Sequence, residues 1–255
     1  MPILHVHELT KTYPNAARPA LDRVTFSVDA GSFTAILGRS GSGKTTLFRC
    51  LNLLVRPTSG QVMIGDQDWL TLDSHALCQA RRQMATIFQQ FNLINRLTVL
   101  ENVLASQLSN VPFWRAALRR FPSGYHEWAL HCLDRVGLHD LADRPAGQLS
   151  GGQQQRVAIA RALAQRSRII LADEPIASLD PETATLILEE LRGIAREDGI
   201  TILCSLHQEA FAMHYADRII GLRAGRLVVD VVVSEFSAMQ RDKLYVTGEH
   251  HEAAP

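Results

Sequence analysis

Lys44 and Thr45 stand directly behind three closely spaced glycines, a combination of residue types suited to gripping phosphate. The run Gly38-Arg39-Ser40-Gly41-Ser42-Gly43-Lys44-Thr45 fills every fixed position of the pattern G-x-x-x-x-G-K-[ST]. Glycines allow backbone N–H groups to turn inward around an anion, and the helix that opens at Thr46 adds its dipole and unpaired donors. A lysine placed there reaches the β- and γ-phosphates of a nucleoside triphosphate, and the Thr45 hydroxyl suits Mg2+. A Gly/Ser-rich turn that matches by accident is the alternative. The strand-like Ser32 to Leu37 before the loop and the helical Thr46 to Leu54 after it argue against accident.

Two further stretches carry matching chemistry. Arg168 to Glu174 reads as an apolar strand that ends in Asp173 and Glu174. Beside a phosphate loop, Asp173 is placed to hold Mg2+ through water and Glu174 to polarise an attacking water as a general base. Leu149-Ser150-Gly151-Gly152-Gln153 precedes a helix whose Val157, Ala160 and Leu163 or Ala164 recur at helical spacing. Ser150 is a natural N-cap there, and the paired glycines leave donors exposed at a positive helix end. That is a second phosphate-binding terminus in the same chain.

The elements that must position these residues alternate. Ile3 to Leu9 and Val24 to Val28 read as strands, as do Gln61 to Gly65 and Met84 to Phe88. Leu72 to Gln83 is polar and helical, and Pro57 to Gly60 ends the helix behind the phosphate loop. Phe91 to Ala164 shows long helical stretches and little strand signal, the pattern of an inserted helical lobe. Strand and helix alternate again from Arg168, through Ile169 to Asp173 and Ile200 to Ser205, which predicts a parallel sheet flanked by helices. Asp180 is expected to cap a helix begun by Pro181, with Ala184, Ile187, Leu188, Leu191 and Ile194 on one face and Gly199 at its end. Beyond Phe236 the composition turns polar, and residues 248–255 read as a loose tail.

Bulk composition bounds the function. The chain has 255 residues, 46% hydrophobic and 20% charged, and balances 26 basic against 26 acidic side chains. Such neutrality offers no global field for nucleic acid or anionic lipid, so no nucleic-acid partner is expected. The four scattered cysteines, without a C-x-x-C pair, read as reduced thiols in a reducing compartment. No apolar run is long enough to span a bilayer, the nearest being Leu227 to Val233, interrupted by Asp230.

Taken together these motifs resemble the ATP-binding cassette (ABC) family over nearly the whole chain. Leu149 to Gln153 is identical to that family's signature, and Gln154 to Leu163 continues it in the form common to importers. By that resemblance Gln89 is the glutamine that touches Mg2+ and senses a membrane partner. Ser178-Leu179-Asp180 corresponds to the D-loop, His207 to the switch histidine on the γ-phosphate, and Tyr13 to the aromatic ring that stacks on adenine. The implied fold is α/β, a P-loop NTPase with a RecA-like, mostly parallel core, an N-terminal antiparallel β subdomain and an inserted α-helical subdomain. It spans residues 1–240, the core about 1–90 and 166–235 and the helical lobe about 91–165, with 241–255 as a tail.

The implied function is ATP hydrolysis with Mg2+ by a head-to-tail pair of this chain, the signature of one copy closing on ATP held by the other. One phosphate loop and one signature imply a lone subunit, peripheral on the cytoplasmic face, energising a separate transmembrane permease with a solute-binding protein. The aromatic, basic segment Asn110 to Pro122, with Tyr125 and Trp128, resembles the insertion of phosphonate importers, which implies uptake of phosphonate or a related phosphorus oxyanion. Its rings are expected to pack the lobe's own core more readily than to form a contact site. An amino-acid importer, a lipoprotein or exporter cassette, and a soluble non-transport ATPase remain the alternatives. Arg39, where a proline is common, and Val231, where importers usually have glycine, depart from the pattern.

Overall fold

The computed structural model describes residues 2–111 and 121–245. Alternating burial builds the first sheet. In β1 (Pro2–Lys11) Ile3, Leu4, Val6 and Leu9 are buried, and in β2 (Leu21–Asp29) Leu21, Val24, Phe26 and Val28. With β4 (Ser59–Ile64) and β5 (Gln67–Asp68) they form an antiparallel sheet in the order β2-β1-β4-β5. One face of that sheet is apolar and the other solvated, as antiparallel sheets permit.

The second sheet has six strands in the order β10-β9-β3-β8-β7-β6. Its members are β3 (Phe33–Leu37), β6 (Met84–Ile87), β7 (Ile169–Ala172), β8 (Thr201–Leu206), β9 (Arg218–Arg223) and β10 (Arg226–Val232). All neighbours pair in parallel except β9 with β10. β3, β7 and β8 are buried along their full length, one face against helices and the other sharing a core with the apolar face of the first sheet. Register decides where the site forms. Leu37 pairs with Leu206, Ala172 with Cys204 and Ile87 with Ala172, so four strands end together at one edge. Open α/β sheets bind ligands at that carboxyl edge.

Helices connect these strands. α1 (Lys44–Leu51) follows β3, and α2 (Ser74–Ala80) is capped by Asp73. The helical lobe contains α3 (Val99–Leu104), α4 (Ser123–Arg135) and α5 (Gly151–Ala164). α6 (Pro181–Glu197) and α7 (Glu209–Tyr215) return to the core, and α8 (Ala238–Tyr245) closes the described chain. Both Thr98 with Glu101 and Ser150 with Gln153 form reciprocal capping boxes. Asn102, only 2% exposed, ties the lobe's entry to α3. Its side chain accepts from Ile94 N–H and donates to the carbonyls of Ile94 and Thr98.

The structure adds detail in three places. The helix behind the phosphate loop stops at Leu51 and does not run to Leu54: Leu53 turns left-handed with φ of 54°, and Arg81 takes up the Asn52 and Leu53 carbonyls freed there at 3.0 and 2.7 Å. Residues 91–98 form an irregular turn without helix, with Phe91 and Asn92 in left-handed conformations. Residues 241–245, expected in the tail, lie in α8, where Leu244 is fully buried and Arg241 Nε donates to Glu209 Oε2 at 2.5 Å. The aromatic insertion is described in part. Phe121, Tyr125 and Trp128 pack against the lobe's core, and Trp128 Nε1 donates to the Ala164 carbonyl at 3.2 Å. Residues 112–120 and the tail from 246 onward lie outside the described residues.

Candidate functional site

The phosphate loop leaves β3 with Gly38 and re-enters helix at Lys44. Gly41 and Gly43 take φ of 77° and 110°, which only glycine adopts without strain. A Cβ on Gly43 would also come within 2.7 Å of the Ala20 carbonyl oxygen. Gly43→Ala is therefore expected to cost about 2–4 kcal/mol of stability. Gly41→Ala, with nothing within 4 Å of its Cβ, is expected to cost about 1 kcal/mol through φ alone. Urea unfolding of the two variants side by side measures the difference, and equal losses would contradict the contact.

Lys44 is 4% exposed and curls over its own loop, its Nζ donating to the Gly38 carbonyl at 2.8 Å. The same Nζ lies 3.9 Å from Glu174 Oε1. Burial pulls the lysine pKa down, while Glu174 and Asp173 pull it back up. At the end of β7, Asp173 accepts from the Ser205 hydroxyl at 3.0 Å and from the Thr45 hydroxyl. Desolvation nevertheless raises its pKa, with the nearby Glu174 charge adding to the rise. Such a carboxyl gains from a cation beside it.

Glu174 has φ of 51°, a conformation non-glycine residues rarely adopt. Ser205 Oγ accepts its N–H at 2.7 Å, and its carboxylate meets His207 Nε2 at 2.6 Å. The backbone strain is thus held by one serine on the neighbouring strand, turning Glu174 away from Asp173 and towards Lys44 and His207. Beside this pair lies a cleft of about 210 Å3 whose lining includes Glu174, Leu179, Ser205, His207 and Phe211.

Lys44, Thr45, Asp173, Glu174 and His207, singled out separately in the sequence, therefore form one cluster at the carboxyl edge. Gln89 is exposed in the turn after β6, at that same edge. Tyr13 follows the end of β1, half-buried beneath the Lys11 ammonium at 5.1 Å. The Leu149 to Gln153 stretch sits elsewhere, at the start of α5. There Gly151 faces Leu179, and a Cβ on Gly152 would lie 2.5 Å from Thr183 Cγ2. Asp180 caps α6 through Thr183 N–H at 2.9 Å, so Ser178-Leu179-Asp180 lies directly beneath the α5 terminus.

Sequence reasoning missed Ser205 as a site residue. Its signal was a hydroxyl inside a fully buried strand, which must find a polar partner. Thr45, Asp173 and Gln89 offer only oxygen donors, a set that suits a hard divalent cation such as Mg2+.

Residues 21–177 match the family model for the ABC transporter domain. The chain belongs to the ABC transporter ATP-binding family. A phosphonates import ATP-binding protein of Synechococcus sp. is 42% identical over 253 residues, 99% of this chain and 94% of that protein. A second, from Trichodesmium erythraeum, is 47% identical over 232 residues, 90% of this chain and 87% of that one. A hypophosphite import ATP-binding protein of Stutzerimonas stutzeri is 44% identical over 95% of this chain and 70% of its own length. Among solved structures, the dimeric cassette MJ0796 in a post-hydrolysis state bound to ADP and Pi superposes with a TM-score of 0.78 at 36% identity. It covers 91% of this chain and 100% of its own. As an ABC cassette the chain binds ATP and is an ATPase, with the P-loop α/β fold of that family. No described helix is long and apolar enough to cross a membrane.

Proposed function

We propose that this cassette hydrolyses ATP to energise import of phosphonate or a related phosphorus oxyanion through a separate permease. The convergence of Lys44, Glu174 and His207 on one another, within 3.9 and 2.6 Å of the Glu174 carboxylate, carries the hydrolytic half of this reading. The substrate half rests on the phosphonate and hypophosphite import relatives, which cover most of this chain. Residues 1–240 form one catalytic unit in this reading, with the helical lobe facing the permease and the chain peripheral on the cytoplasmic face of the membrane.

The roles follow from position. Tyr13 stacks on adenine, and the backbone donors of residues 38–46 surround the phosphates, displacing Lys44 from its own carbonyls onto the β- and γ-phosphates. Thr45, Asp173 and Gln89 would hold Mg2+, which would supply positive charge beside the phosphoryl oxygens. Glu174 takes the proton of the attacking water as the γ-phosphoryl group passes to it, giving ADP and inorganic phosphate. His207 donates to the γ-phosphate and steadies Glu174. A second copy completes the site: its Ser150-Gly151-Gly152 terminus points donors and a positive dipole end at the same γ-phosphate. The D-loop at Ser178 to Asp180, packed under that terminus, aligns the two copies.

The isolated cassette is expected to turn over slowly. Assembly with its permease and a phosphonate-loaded solute-binding protein is expected to raise kcat about tenfold or more. Mild-detergent purification from native membranes, with mass spectrometry of the co-purifying chains, identifies the complex to reconstitute. Stimulation by a binding protein loaded with an amino acid would keep transport and remove the phosphorus substrate. Co-purification with ribosomes or DNA-repair proteins would remove transport itself.

A further inference from the structure

The turn that carries Gln89 is gripped from the far end of the signature helix. Arg161, three turns along α5 from Ser150, donates from one guanidinium nitrogen to the Asn92 carbonyl at 2.6 Å and from the other to the Phe91 carbonyl at 2.9 Å. Both acceptor residues are left-handed, with φ of 57° and 49°, and neither is glycine. Consecutive left-handed residues of this kind persist only where surrounding structure holds them. Burial pulls the arginine pKa down, and no ion pair with a carboxylate is formed by Arg161 among the described residues. Its charge is instead spent on backbone dipoles, in a planar fork that a lysine cannot reproduce.

A neighbouring contact has the same origin. Gln165, just past the end of α5, donates to the carbonyls of Arg81, Arg82 and Met84, at the start of the strand that leads into Gln89. α5 therefore ends clasping the start of β6 and the turn beyond its end.

We propose that Arg161 is a positioning residue for the ATPase reaction, holding the turn after β6 so that Gln89 faces the phosphate loop. This rests on the reading of Gln89 as a residue of the ATP site. Arg161 itself touches no nucleotide.

A double-mutant cycle in the full chain tests it, reading kcat for Mg-ATP hydrolysis and, separately, the affinity for a fluorescent ATP analogue in EDTA. Arg161→Met is expected to lower kcat about tenfold, with nucleotide affinity in EDTA within about twofold of the parent. In a Gln89→Ala background the same substitution is expected to change kcat by less than about twofold, because the group it positions is gone. Gln165→Met, which loosens β6 without touching the turn, is expected to act equally in both backgrounds. Should Arg161→Met fail to fold, Arg161→Lys, which keeps the charge and loses the fork, enters the same cycle with a smaller loss expected. Equal losses from Arg161 substitution in the two backgrounds would make it merely structural and leave Gln89 in place. A Gln89→Ala chain with parental kcat would instead remove the role of Gln89, and the positioning role with it.

Discussion

Glu174→Gln is expected to lower ATP hydrolysis by about 10²–10⁴-fold while leaving ATP binding intact. Glutamine keeps the size of the side chain and a carbonyl oxygen for His207, so the 2.6 Å contact and the Ser205 bond to its backbone survive. What disappears is the capacity to accept the proton of the attacking water. Binding rests on Lys44 and the glycine loop, which the substitution does not touch. If two copies close on ATP as proposed, chains that bind but do not hydrolyse are expected to accumulate as a dimer, which size-exclusion chromatography with Mg-ATP would show in larger proportion than for the parent. Steady-state turnover near the parental rate would remove Glu174 as the base and shift attention to His207.

The second large effect concerns pairing. Lys44→Ala and Gly151→Asp are each expected to be inactive alone, and an equal mixture is expected to regain up to roughly a quarter of parental activity, since half of randomly formed dimers are mixed and each holds one intact site. The intact site combines Lys44 from the Gly151→Asp chain with the unaltered α5 terminus from the Lys44→Ala chain. Gly151 suits the experiment because it is exposed and its Cβ position makes only ordinary contact with Leu179 at 3.5 Å. An aspartate there is tolerated by the helix start and repels a partner's γ-phosphate. A mixture no more active than its components would mean that each site is complete within one chain. The distance between the Lys44 cluster and the α5 terminus would then have to close within a single copy.

Much of this was legible from residue order. The loop from Gly38 to Thr45 declares itself through glycine positions that the structure uses, φ of 77° at Gly41 and 110° at Gly43. Ser150 before its helix, and Asp180 before Pro181, announced helix starts that the structure caps as expected. These signals are local. A cap, a tight turn or an apolar face depends on neighbours a few residues away, so the sequence contains nearly all of its causes.

What remained hidden depended on distant partners. Nothing near Asn52 says that Arg81 will take up the carbonyls at the end of α1, and nothing in the polar run after Phe236 reveals that Leu244 will fill a buried place beside Gly221. Ser205 became a site residue only when β8 paired with β7, and Arg161 only when α5 packed across the turn at Phe91 and Asn92.

The sequence alone thus supplied the candidate chemistry: a phosphate loop, two carboxylates closing an apolar strand, and a second helix start behind paired glycines. Tertiary structure alone decided that the carboxylates, the lysine and the histidine meet, because parallel register aligns the ends of β3, β7 and β8. It also set the second helix start apart on the helical lobe, over Leu179 and Thr183. Residue types define what can react, whereas strand register, a long-range property no short stretch encodes, defines which of them touch.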